Sequence, residues 1–196
     1  MLLDLIVSVV AMFVSPDAVR GLIATAPQNL LSEETARQHL AAAVAAAALT
    51  RTKPETLLSI AWHESRYKYT ETTSEPPCAP GMSTCTKDEQ RRRAPRWSCG
   101  VMTPEPITDR KVCEEIASNL ATGYLAGAQH LRAWLDVCRD HAGCALLGYA
   151  GAATHDCANE MTRACVAARD FATRSMWIAR AIRPVKKSHR TKPLAS

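Results

Sequence analysis

The sequence predicts a mainly helical domain braced by disulfides, and three observations carry that expectation. Apolar residues recur at helical spacing through long stretches without Gly or Pro. Only two phenylalanines occur in 196 residues that are 47% hydrophobic, so helices must pack closely through alanine and other small side chains. All eight cysteines fall between Cys78 and Cys165, and an even set crowded into one region suits a stapled domain in an oxidising compartment.

Taken in order, the elements begin with an apolar run from Leu5 to Val14. It has signal-peptide length, but no Lys or Arg precedes it, and the small-residue site Ala24-Thr-Ala26 comes only after Asp17 and Arg20. It is too short to span a bilayer. Residues 1–30 therefore read either as a cleaved signal or as a helix packed on the domain. Ser32 caps a helix whose first turn carries Glu33 and Glu34 and which runs to about Leu49. Pro54, at a first helical position, opens the next, to about Tyr67. From Lys68 to Ser98, Pro76, Pro77, Pro80, Gly81 and Pro95 interrupt regular structure, and a stretch this long needs a function or covalent stapling. Helices are expected again over about Cys113 to Val137, His141 to Ala150 and Glu160 to Ile182. The last carries the stripe Met161, Cys165, Ala168, Phe171, Ala172, Met176 and Ile178. The folded domain is thus 31–182. Local cysteine pairing is favoured: Cys78 with Cys85, Cys99 with Cys113, Cys138 with Cys144, and Cys157 with Cys165.

The formal charge of +5 is matched by the tail 183–196, where Arg183, Lys186, Lys187, Arg190 and Lys192 stand without an acid. The remainder is neutral, so the tail reads as a flexible, solubilising end rather than a specific nucleic-acid site. Zinc hydrolysis is not supported, because His63-Glu64 begins an H-E-x-x-H pattern but Tyr67 stands where the second His is needed. No C-x-x-C pair or Gly-rich phosphate loop is present.

Glu64 stands out. It closes the run Leu58-Ser-Ile-Ala-Trp-His-Glu-Ser-Arg66, and counting back three, four and seven residues gives Ala61, Ile60 and Leu57, the face expected to meet the core. The side chain is therefore expected to point inward. A poorly solvated carboxyl has its pKa raised, which suits a general acid near neutral pH. The plain readings are a Glu paired with an Arg, or one solvated in a fraying last turn.

The string Ala61-Trp-His-Glu-Ser-Arg-Tyr67 resembles the signature around the sole catalytic glutamate of the lytic transglycosylases, a hydrophobic run followed by Glu-Ser-x-aromatic. Ser98-Cys-Gly-Val-Met-Thr-Pro104 is similar to their Gly-Leu-Met-Gln segment. Ala117-Ser-Asn-Leu-Ala-Thr-Gly-Tyr-Leu125 resembles their Asn-containing helix, and Leu146-Leu-Gly-Tyr-Ala-Gly151 their Ala-Tyr-Asn-x-Gly element. The four elements occur in the family's order and cover residues 54 to 152. Thr103 replaces the family's Gln, with shorter reach, and Ala150 replaces its Asn, with no side-chain hydrogen bond to offer.

The resemblance implies a lysozyme-like, α+β fold in which an irregular or small β lid flanks the cleft. It implies cleavage of the β-1,4 bond between N-acetylmuramic acid and N-acetylglucosamine in peptidoglycan glycan strands. Glu64 would be the catalytic acid and then base, with a 1,6-anhydro product and no metal or organic cofactor, an exception to the two-carboxylate rule. Ser65, Gly100, Met102, Thr103, Asn119 and Tyr149 would bind substrate or shape the cleft, Tyr149 beside Glu64. As plain alternatives, Tyr149 is a core tyrosine, Ser65 a helix-surface serine and Met102 packing. A hydrolytic lysozyme would need a second carboxylate, and Glu71, Glu75, Asp88 and Glu89 are available but read better as solvated loop charges. Arg91-Arg-Arg93 and Arg96 fall in the same loop, either solvated or facing acidic groups of the wall. The implied setting is extracytoplasmic: periplasmic, secreted, or carried by a secretion, conjugation or phage machine. A non-catalytic wall-binding or assembly protein on the same fold is the alternative of a different class.

Overall fold

Alanine makes one helix the centre of the molecule. Helix α3 (Glu33–Thr50) buries Ala36, Ala41, Ala42, Ala43, Ala45, Ala46 and Ala47, and this low-relief surface lets neighbours approach from several sides. The structure, a computed structural model, describes residues 2–25, 31–68, 72–75, 96–102, 109–150 and 163–182. Ser32 caps α3 as expected, its hydroxyl accepting from the Thr35 amide, and the helix ends where Arg51 turns left-handed (φ 55°).

Helix α4 (Pro54–Ser65) starts at its proline and stops two residues earlier than expected, because Arg66 and Tyr67 adopt positive φ (56° and 65°). That turn drops Tyr67 into the core beside His39, with ring centroids 5.0 Å apart. Strands β1 (Thr72–Glu75) and β2 (Arg96–Cys99) then pair antiparallel, Thr72 opposite Cys99 and Glu75 opposite Arg96. The small β element anticipated between α4 and Ser98 is therefore present.

A single helix was expected over Cys113 to Val137, but two are found: α5 (Arg110–Ser118) and α6 (Leu120–Val137). The break is Asn119. Its backbone is extended (φ −138°, ψ 125°) and its side chain accepts from the Thr122 amide, so the chain ends one helix and caps the next at the same residue. Helices α7 (Ala142–Tyr149) and α8 (Arg163–Ile182) follow. Of the expected α8 stripe, Cys165, Ala168, Phe171, Ala172 and Ile178 are buried, and Met161 lies outside the described residues.

The apolar run falls on α1 (Leu2–Phe13), and a second helix, α2 (Pro16–Thr25), follows it, the two bent by 102° at the break. Proline at the start of α2 cannot continue the α1 hydrogen-bond ladder. Helix α1 lies on α3 and α6, while α2 buries Val19 and Leu22. Among the described residues, no single helix is long and apolar enough to cross a membrane.

The molecule is thus mainly α, with α3 packed by α1, α2, α4 and α6, and α8 packed against α4 and α7. Disulfides Cys99–Cys113 and Cys138–Cys144 join β2 to α5 and close the turn between α6 and α7, as expected. Cys165 is also disulfide-bonded. The pairings of Cys78 with Cys85 and Cys157 with Cys165 involve positions outside the described residues, as does the tail 183–196.

Candidate active site

Three of the sequence segments singled out above meet at the C-terminal end of α4. Gly100, Val101 and Met102 leave β2 as a buried strap, and two hydroxyls hold it from either side. The Ser65 hydroxyl lies 2.7 Å from the Val101 carbonyl and 3.0 Å from that of Ala61. It has one proton, and the shorter contact with Val101 is the stronger. The Tyr149 hydroxyl donates to the next carbonyl, Met102, at 2.7 Å. Two successive backbone acceptors are thereby satisfied by α4 and by α7.

Glycine is required in the strap and beneath it. Gly100 has φ of 77°, and a Cβ there would meet the Ile116 side chain at 2.8 Å. Gly127 of α6 gives Met102 its seat, since a Cβ would stand 2.5 Å from the methionine Cβ. Met102 is fully buried, so its side chain packs rather than lining an open surface.

Glu64 corrects one expectation. Its position on α4 is in line with Leu57, Ile60 and Ala61, all buried, yet Glu64 itself is exposed. The core ends before the last turn does. Ser65, one residue on, takes the buried place instead. The inward placement expected from that helix face is therefore not found. Glu64 nevertheless acts on Tyr149: burial, and after it the negative charge of Glu64, push the phenol well above its ordinary range. Tyr149 is therefore a protonated donor at all moderate pH. Its proton is committed to Met102, leaving the oxygen able only to accept from a further group.

The Asn119 side chain is engaged within the fold. Besides capping α6, it donates to Asp4 of α1 at 2.6 Å. Ala150 ends α7, its amide bonded back to Leu146. Thr103, Glu71, Asp88, Glu89 and Arg91 to Arg93 lie outside the described residues, and Glu75 ends β1.

Aromatic residues not expected at the site complete the surroundings. Tyr149 stacks on Phe171 of α8 (6.3 Å) and meets the His130 ring edge-on (4.9 Å), while His63 stands edge-on to Phe171 at 4.4 Å. Burial, then the charges of Arg66 and Arg174, lower the His63 pKa, so it is neutral near pH 7. The adjacency of His63 to Glu64 and the scarcity of phenylalanine were the available signals. Arg66 closes the helix end, donating to the Trp62 and His63 carbonyls and lying 4.5 Å over the Trp62 ring. An exposed carboxylate near enough to Tyr149 for its charge to act there can exchange a proton with a bound molecule, provided that molecule itself supplies the desolvation. Compared with family models, curated proteins and solved structures, the chain matches none.

Proposed function

We propose that this protein is a peptidoglycan lytic transglycosylase of lysozyme-like fold, acting outside the cytoplasm. One observation carries the reading: Ser65 and Tyr149 grip consecutive carbonyls of the Val101–Met102 strap, so three segments resembling that family's motifs converge beside Glu64. The disulfides suit the extracytoplasmic setting.

In this reading a bound glycan covers Glu64 and displaces water from it. The protonated carboxyl gives its proton to the glycosidic oxygen as the C1–O4 bond breaks, and the sugar's own acetamido carbonyl stabilises the positive centre. The resulting carboxylate takes the proton of the C6 hydroxyl as O6 bonds to C1. Glu64 ends protonated again, the product carries a 1,6-anhydro ring, and no water is consumed. The buried strap Gly100 to Met102, its Val101 and Met102 carbonyls already taken by Ser65 and Tyr149, supports the site without itself binding sugar.

The exposure of Glu64 and the capping role of Asn119 favour a second reading, a wall-binding or assembly protein without catalysis. Purified protein is expected to clear a cell-wall suspension, and Glu64→Gln to slow clearing by at least about a hundredfold. Mass spectrometry of the products separates the readings. Anhydro ends mean transglycosylase, reducing ends mean a lysozyme-type hydrolase, and wall sedimentation of the protein without soluble fragments means a binding module.

A further inference from the structure

At the other end of α4, ~12 Å from Glu64 along the helix at ~1.5 Å per residue, lies a recessed cavity of about 230 Å³. Its floor is aliphatic: Leu131 and Leu135 from α6 and Leu146 from α7. Its mouth is cationic, with Arg51, Lys53 and Arg132 against one acid, Asp140. Arg132 already holds Asp136 and Asp140, at 2.7 and 2.6 Å. Arg51 and Lys53 are exposed and belong to no ion pair among the described residues. The mouth therefore has two cations to spare.

The wall is also held in an uncommon shape. Arg51 (φ 55°), Arg139 (φ 49°) and Asp140 (φ 62°) are left-handed without being glycine, and Cys138–Cys144 closes the turn that carries the last two. A second, wider groove between α3 and α6 shares Arg51, Arg132 and Asp140 with the cavity.

We propose that this cavity is a binding site for a small aliphatic carboxylate, its chain against the three leucines and its carboxylate between Arg51 and Lys53. At about 30 Å³ per water-sized group, the volume accommodates roughly seven or eight methylene-sized groups. An eight-carbon acid fills the cavity with its charge at the mouth. The same chemistry is presented by a free fatty acid or by the aliphatic C-terminal residue of a peptide. The site is independent of the Glu64 reading.

Octanoate, N-acetyl-leucine, acetate and octylammonium are titrated into the full-length protein and followed by calorimetry and amide NMR. Saturable binding of octanoate or N-acetyl-leucine, with shifts at Arg51–Thr56 and Leu131–Leu146, supports the site, and the tighter of the two names the source. Acetate lacks the chain and octylammonium reverses the charge, so both are expected to bind at least tenfold more weakly. Arg51→Asn combined with Lys53→Glu removes the cations while giving the left-handed position a residue suited to it. This variant is expected to lose at least tenfold in affinity at unchanged melting temperature. Thr56→Phe, at the cavity wall, is expected to block binding by volume alone. Failure of both acids to saturate, equal binding of octylammonium, or unchanged affinity in the charge variant overturns the proposal.

Discussion

At the scale of single residues, the candidate site is an exercise in proton accounting. Ser65 and Tyr149 each have one hydroxyl proton, and the strap carbonyls of Val101 and Met102 take both. Tyr149→Phe would leave the Met102 carbonyl without its donor in a buried place and is expected to lower the unfolding free energy by about 1–3 kcal/mol, measured by urea titration. Glu64 differs, because it is exposed. Glu64→Gln is expected to move stability by no more than about 0.5 kcal/mol, so a loss of wall clearing in that variant would be chemical rather than structural. Glu64 and Ser65 were both singled out from the sequence, and their order along α4 was enough to put them at one helix end. Which of the two is buried was not legible there, since it depends on where Val101 passes over the last turn.

At the scale of elements, capping chemistry explains both the agreement and the one division the periodicity missed. Ser32 and Pro54 announce their helices because their preferences are local. Asn119 lies inside an uninterrupted helical pattern, and only its contacts reveal a boundary: Thr122 on one side and Asp4 of α1, distant in sequence, on the other. Asn119→Ala is expected to cost about 1 kcal/mol in denaturant titration while leaving wall clearing unchanged. A substrate-binding Asn would give the reverse pattern, activity lost at constant stability. Likewise, residues 1–30 read as a single N-terminal segment, and Pro16 supplies the break between α1 and α2.

At the scale of the whole molecule, stability is tied to pH through His39 of α3. Its ring is fully buried, Nδ1 is 3.0 Å from the Tyr124 hydroxyl, and burial pushes its pKa down to about 4, opposed only in part by a hydrogen bond with the Tyr67 backbone. The unfolded chain binds a proton near pH 6.5, the folded one not until about 4. Stability is therefore full above the higher value, falls as pH drops between them, and levels off below. The loss is about 3 kcal/mol at 1.36 kcal/mol per unit, and denaturant titrations from pH 7.5 to 3.5 are expected to follow it, with His39→Gln flattening the curve. Nothing in the alanine-rich sequence around His39 marks this, because burial of a single imidazole is decided by Tyr67 and Tyr124 arriving from other elements. The sequence by itself determined the helical class, most helix starts, the two described disulfides and the identity of the residues near Glu64, all of which follow from short-range spacing and capping. The tertiary structure alone decided that Glu64 is exposed, that Asn119 serves two helices, that Tyr149 spends its proton on Met102, and that a cationic cavity opens behind α4. Each of these depends on contacts between residues far apart in the chain, which no local pattern encodes.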